Sequence, residues 1–392
     1  MAVKGPTSSA LYMGVLAAFV GYSASFAIVV AGLKAMGATE AQAATGLFFA
    51  TLGMGVCSLW LPLATRTPAA VAWSTPGAAF LAAGTVLPGG FAEAVGALVI
   101  CAVLILLTGI VPALARAVGA IPKPIANALL AGVLLKLCFA PALALGSVPL
   151  LIVPVLVAWT AGLVWNRLLA MPFAVIAFVA VLFLVIDPAA SAPGFDIDMR
   201  SMAQVVLPSF SLASAISVAV PLYLVTMAGQ NIPGFAVLEL NGYPVKRPFL
   251  IRSTGLISLG IAPFGAIPVN MSAITASMMA GEDAGKDPGG RYWSAVVSGV
   301  CYVALALAAG LVTSLATLAP PALITGVAGL ALIPAFVGAT KAAFADAKQP
   351  EAPALTFLIA ASGMTLFGIS GAVWGIVVGG AVWVCKSAMA KP

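Results

Sequence analysis

Apolar residues run along this chain in blocks of about 15–25 positions, divided by short breaks where Gly, Pro, Lys and Arg collect. No block alternates with the period of two that a barrel strand needs. Blocks of this length predict membrane-crossing helices, which need ~20 apolar residues for a ~30 Å hydrocarbon core. The pattern predicts fourteen such segments. In the first half they centre near residues 21, 52, 76, 103, 133, 157 and 178, and in the second near 230, 256, 273, 304, 331, 359 and 379. The first, about Ala10–Gly32, is too long for the apolar core of a cleavable signal and is expected to stay in the bilayer.

Composition agrees. The 392 residues are 62% hydrophobic and 7% charged, against ~25% charged in soluble domains, so the expectation is an all-α integral membrane protein. Orientation follows from the positive-inside rule. With fourteen crossings and both termini cytoplasmic, 14 of the 17 Lys and Arg face inward, Lys34 and Arg200 face outward, and Lys136 lies in a span. Were segments three and ten not to cross, Arg116, Lys123, Arg167, Lys246, Arg247 and Arg252 would all move outside. This topology accounts for the net charge of +6 without a nucleic-acid partner.

Segments three (about 68–84) and ten (about 265–281) are short for a crossing, since 17 helical residues reach only ~25 Å. If Pro68–Ser74 is extended and Thr75–Gly84 helical, the reach becomes ~38 Å. "WSTPG" supports a helix start at mid-membrane: Ser74 or Thr75 can cap, and Pro76 fits the first turn. "GAIPVN" repeats the device, with Asn270 or Ser272 as cap. At an offset of 197 residues Thr75 falls on Ser272, Ala79 on Ala276, Gly84 on Gly281, Pro124 on Pro321 and Gly132 on Gly329. Seven segments per half is odd, so the halves, 1–200 and 201–392, would form an inverted repeat. Two half-helices would then bring their positive dipole ends to one midplane site suited to an anion.

Two further segments carry polar centres. Taken from Pro221 to Leu240, segment eight has Gln230 and Asn231 at its midpoint, before a helix-breaking Pro233. Segment one has Tyr22 and Ser23 at its midpoint. Amides buried in a bilayer either bind something or hold helices together.

The stretches "TRTPAAVAWSTPGAAFLAAG" (65–84), "VTMAGQNIPGFAVLELNGY" (225–243) and "APFGAIPVNMSAITASMMAG" (262–281) resemble the benzoate membrane transport family, the BenE-type benzoate:proton symporters, over essentially the whole chain. The family is similar in plan to nucleobase and sulfate transporters of the seven-plus-seven inverted-repeat fold. The resemblance implies a core domain from about 10–115 and 219–317 and a gate domain from about 123–187 and 320–389. It also implies proton-coupled import of benzoate or a similar aromatic carboxylate across a bacterial inner membrane by alternating access. Where the nucleobase relatives carry an acidic ligand, this chain has Gln230 and Asn231, which suits a substrate that brings its own negative charge.

The expected substrate contacts are Tyr22, Ser23, Trp73, Ser74, Thr75, Gly77, Gln230, Asn231, Asn270, Met271 and Ser272. Trp73 can equally fill core, and the amides can equally glue helices. Glu239, about nine residues past Gln230 and so ~13 Å away along the helix, is the candidate for proton coupling. Lys136 is expected to snorkel outward. With no histidine, no P-loop, no metal-ligand spacing and five scattered cysteines, neither a metal nor another cofactor besides the coupling proton is expected. Nor is an intramembrane enzyme, since no nucleophile–base pair is in view. An uncoupled facilitator on the same fold, or a carrier of another small substrate such as a nucleobase, are the rival functions. Lipid is the surrounding partner, and the oligomeric state stays open, with a homodimer as one option.

Overall fold

The computed structural model describes residues 5–23, 25–166, 168–185, 203–310, 313, 319–345, 349–366 and 369–389. Of the 17 Lys and Arg counted in the orientation argument, Lys4, Arg167, Arg200, Lys348 and Lys391 lie outside the described residues. Among the described residues the regular elements are helices apart from two short strand pairs. In the first half the elements are α1 (Ser8–Ser23), α2 (Phe26–Ala35), α3 (Glu40–Thr65), β1 (Val71–Trp73), α4 (Thr75–Ala82), α5 (Gly90–Ile110), α6 (Pro112–Gly119), α7 (Lys123–Cys138), α8 (Ala140–Ser147), α9 (Pro149–Trp165) and α10 (Ala170–Val185). The second half holds α11 (Leu212–Leu240), α12 (Arg247–Ile261), β2 (Val269–Met271), α13 (Ala273–Ala280), α14 (Tyr292–Leu307), α15 (Pro321–Ala343), α16 (Glu351–Ser362), the hairpin β3–β4 (Thr365–Leu366 and Ile369–Ser370) and α17 (Gly371–Met389).

Among the described residues, eight helical stretches are long and apolar enough to cross a membrane: Ser8–Ala35, Glu40–Thr65, Gly90–Ile110, Lys123–Ser147, Leu212–Leu240, Pro288–Leu307, Pro321–Ala343 and Gly371–Met389. Helices α9, α10 and α16 are apolar but shorter. The apolar residues left uncovered, such as Leu150, Val164 and Phe183, are what a lipid-facing surface requires, since hydrocarbon imposes no cost on them.

Three differences from the sequence expectations have local causes. First, segment eight starts at Leu212 rather than Pro221. Ser211 caps it, its hydroxyl accepting from the Ser214 amide at 2.9 Å. The helix passes Pro221 because a π-turn, Ala215–Ala219, widens the ladder just before it. A second π-turn, Met227–Asn231, precedes Pro233 in the same way. Such turns relieve the clash of a proline ring with the carbonyl four residues back, and they recur at functional sites. Second, segment one comprises two helices: α1 ends at Ser23, and α2 begins at Phe26 after the non-helical cap Ser25, so Tyr22 and Ser23 form the last turn of α1 rather than the middle of one long helix. Third, the hairpin β3–β4 and the amphipathic α6 lie outside the predicted segments.

Packing falls into two sets. Helices α3 and α14, α5 and α12, α1 and α14, and α2 and α4 pair closely, as do α7 and α15, α16 and α17, α7 and α16, and α9 and α10. At one end Arg66, the left-handed cap of α3, donates to the Tyr292 hydroxyl and stacks on its ring at 4.9 Å. Nearby, buried Arg291 donates to the carbonyls of Ala280 (2.8 Å) and Gly285 (2.7 Å), closing the C-terminal end of α13. Burial pushes the phenol of Tyr243 above its usual range, and adjacent Arg291 offsets part of that. At the other end buried Glu93, in the first turn of α5, accepts from the Gly89 amide (2.7 Å) and from Ser211, tying α5 to the start of α11.

Candidate functional site

Two extended arms meet in the interior. β1 and β2 pair antiparallel, with Val71 opposite Met271, Ala72 opposite Asn270 and Trp73 opposite Val269. The ladder continues one residue at each end, from the Ser74 amide to the Pro268 carbonyl (2.9 Å) and from the Ser272 amide to the Ala70 carbonyl (3.0 Å). Backbone away from water must find partners within the protein, and side chains supply the remainder. Ser58 on α3 donates to the Val71 carbonyl (3.4 Å), and Ser258 on α12 accepts from the Val269 amide (2.9 Å). The Asn231 side-chain oxygen accepts from the Met271 amide at 2.9 Å. Gly234 lets α11 approach this closely, because a Cβ there would lie 2.9 Å from that of Met271. With its amide set to satisfy both groups, Asn270 accepts from the Ser74 amide and donates to the Met271 carbonyl, each at 2.9 Å.

Each arm runs into a half-helix capped by serine. Ser74 accepts from the Gly77 amide (3.1 Å), and Ser272 from that of Thr275 (3.4 Å). The caps are thus Ser74 and Ser272, one position away from the Thr75–Ser272 pairing of the sequence alignment. Ser74 also shares a 2.7 Å hydrogen bond with Thr226 on α11, which joins the half-helix to the long helix. Ser74→Ala is expected to cost about 1 kcal/mol of stability from the lost cap, and more from the stranded Thr226 hydroxyl. A lower melting temperature of the detergent-solubilised variant, restored by Ser74→Thr, checks this.

Both half-helix starts line one cavity of about 60 Å³, room for a few water-sized groups at ~10–15 Å³ each. Thr75, Gln230, Ser272 and Thr275 form its polar wall. Leu134 on α7 and Ala331, Leu332 and Ala335 on α15 form an apolar wall opposite. The first amides of a helix lack internal partners. Among those expected to face a ligand, the amides of Gly77, Met271 and Ser272 are already bonded, and Pro76 has none to offer. Those left open are Thr75 on α4 and Ala273 and Ile274 on α13. Gln230 is 9% exposed, and its side-chain amide has no hydrogen-bond partner among the described residues. A cavity with orphan N–H donors on one wall and small apolar side chains on the other fits a small molecule with one anionic end and an apolar body.

The expected residues divide accordingly. Thr75, Gln230 and Ser272 face the cavity. Ser74, Asn231, Asn270 and Met271 sit behind it and hold the two arms together. Gly77 packs against Ser74 and Leu222. Tyr22 stands in an aromatic group with Phe26 and Trp73, its ring 5.3 Å from the latter. Trp73 is fully buried and donates its indole N–H to Ser25 at 2.7 Å, and Ser23 bonds to the Val20 carbonyl. Glu239 is partly exposed at the end of α11 and forms a two-pronged ion pair with Arg247 at 2.7 Å.

Sequence reasoning misses Ser25, Thr275 and Tyr302. Ser25 and Thr275 line the cavity, and Tyr302 on α14 places its hydroxyl beside Gly21, also in the wall. The Thr275 and Tyr302 hydroxyls are buried with no hydrogen-bond partner among the described residues. In sequence both lie in ordinary apolar runs, and only the depth at which the two half-helices meet selects them.

Comparison with known proteins agrees with this architecture. The profile for benzoate membrane transport proteins matches residues 5–385. The chain is 35% identical over 382 residues to the inner membrane protein YdcO of Escherichia coli K12, covering 97% of this chain and 96% of that protein. It is 31% identical over 373 residues to the benzoate membrane transport protein of Acinetobacter baylyi, covering 95% and 93%. Its fold resembles the transmembrane domain of the cyanobacterial bicarbonate transporter BicA (TM-score 0.59, 16% identity, 96% and 97% covered). It also resembles the murine anion transporter Slc26a9 in its inward-facing state (TM-score 0.64, 11% identity, 99% and 69% covered). The matched family and the structural neighbours are membrane transporters, not enzymes, and the chain belongs to the benzoate membrane transport protein family.

Proposed function

We propose that the protein is a proton-coupled symporter that imports benzoate or a similar small aromatic carboxylate across a bacterial inner membrane. The observation that carries this reading is a cavity at which Thr75, Ser272 and Gln230, which has no partner among the described residues, meet. The carboxylate would sit against the open amides of Thr75, Ala273 and Ile274, where two helix dipoles present positive ends. Its ring would lie against Leu134 and the alanines of α15. In this reading fourteen segments cross the bilayer as an inverted seven-plus-seven repeat, with both termini cytoplasmic. The serine pair Ser58 and Ser258, each bonded to its own arm from the segment before it, supports that pseudo-symmetry. The polar wall belongs to a core (about 10–115 and 219–317) and the apolar wall to a gate (about 123–187 and 320–389). Movement of one against the other exposes the site to alternate sides.

The test is uptake of labelled benzoate by proteoliposomes under an imposed pH gradient, acid outside. Accumulation above the external concentration is expected. Equilibration without accumulation would indicate a facilitator, and no saturable flux would remove benzoate as substrate.

A further inference from the structure

A second cavity, of about 200 Å³, opens between α4, the π-turn of α11 and the gate helices α7, α16 and α17. Its walls are mostly apolar, including Phe80, Leu81 and Met364, and its polar groups include Lys136, Ser217 and Ser370. Lys136 is exposed on the last turn of α7, and among the described residues no carboxylate or other group pairs with it. Its ammonium lies directly over Gly363, which has φ +63° at the end of α16. Any side chain at 363 would be strained in that backbone conformation and would displace the ammonium. The Ser370 hydroxyl is buried with no partner among the described residues. A lone cation and an unsatisfied hydroxyl set in an apolar cleft are suited to an organic monoanion with an apolar body. The cleft lies where α4 ends and β3 pairs with β4, the end opposite Arg66 and Arg291, which the positive-inside rule assigns to the outside.

We propose that this cleft is an outer capture site for aromatic carboxylates, with Lys136 as the charge partner, distinct from the cavity at the half-helix starts. An ammonium in a partly desolvated cleft raises the local concentration of anions and holds them by a charge-assisted hydrogen bond. The inference rests on the reading of the substrate as an organic anion. The site spans both packing sets, so an anion bound there meets groups on each side of the boundary along which core and gate would part.

Fluorine NMR of 4-fluorobenzoate with the full chain in nanodiscs tests this. The Gln230→Ala variant, weakened at the inner cavity, is expected to keep a salt-sensitive binding event that the neutral 4-fluorobenzamide does not show. Lys136→Gln should weaken that event roughly tenfold or more at low salt, Lys136→Arg should retain it, and Met364→Trp should abolish it by filling the cleft. In transport, Lys136→Gln should raise the external KM and leave maximal uptake unchanged. Should Lys136→Gln fail to fold, Met364→Trp decides. Wild-type binding and KM in Lys136→Gln, or in Met364→Trp, would overturn the capture site while leaving benzoate transport intact. Retained binding at Lys136 in a wild-type protein that moves no benzoate would instead overturn the proposed function alone.

Discussion

Truncation of Gln230 to Ala is expected to weaken substrate binding roughly 5- to 150-fold, the range set by losing one buried hydrogen bond of about 1–3 kcal/mol. The variant should keep the wild-type melting temperature, because the Gln230 side-chain amide bonds to nothing among the described residues. Its neighbour should behave differently. Asn231 holds the amide of Met271 and bonds through its nitrogen to the Met227 sulfur at 3.2 Å. Asn231→Ala would leave a fully buried N–H without an acceptor, a penalty of about 1–3 kcal/mol charged to the folded state. It would also free the arm that aims α13 at the cavity. Early melting is therefore expected of Asn231→Ala, and Asn231→Asp, which keeps an acceptor at the same place, should recover part of the loss. Equilibrium binding and thermal melts on both variants check the contrast. If Gln230→Ala binds as wild type, or melts as early as Asn231→Ala, the glutamine is packing rather than ligand.

Two residues adjacent in sequence thus hold opposite roles, and this marks the limit of what the chain discloses by itself. The helix-starting signals in "WSTPG" and "PVNMSA" are legible because cap chemistry is local: a serine hydroxyl and a following turn suffice. Which residue caps is less legible, because Ser74, Thr75, Asn270 and Ser272 are all competent, and the strand register decides. The pairing of the arms lies beyond local reasoning, since Val71 and Met271 are far apart in sequence and only the fold brings them together. Pro221 reads as a helix start because proline suits the first turn. The π-turn that lets a helix pass through it has no local signature stronger than that. Trp73 and Tyr22 read as ring-stacking candidates from their depth, yet Trp73 spends its N–H on Ser25. The orphan hydroxyls of Thr275 and Tyr302 stay hidden for the converse reason: an unsatisfied group is a property of surroundings, not of sequence.

Coupling is expected to follow the pH gradient and to ignore voltage. One proton moving with one monoanion transfers no net charge, so a membrane potential, worth about 2.3 kcal/mol per charge per 100 mV, does not act on the cycle. One unit of pH difference still supplies about 1.4 kcal/mol, a tenfold accumulation. Among the described residues, no Asp or Glu lines the cavity at the half-helix starts. Glu239 is partly exposed at the end of α11, and its oxygens are taken up by Arg247. The titratable group closest to the transport step is then the carboxyl of the substrate itself. Glu239→Gln is accordingly expected to keep benzoate accumulation under an imposed pH gradient, with at most a small change in rate. A variant that still exchanges benzoate for benzoate but no longer accumulates it would make Glu239 the proton carrier. Recording charge movement on reconstituted membranes tests the stoichiometry separately. A substrate-driven current of the size expected for one charge per turnover would exclude one-to-one symport, whatever the behaviour of Glu239.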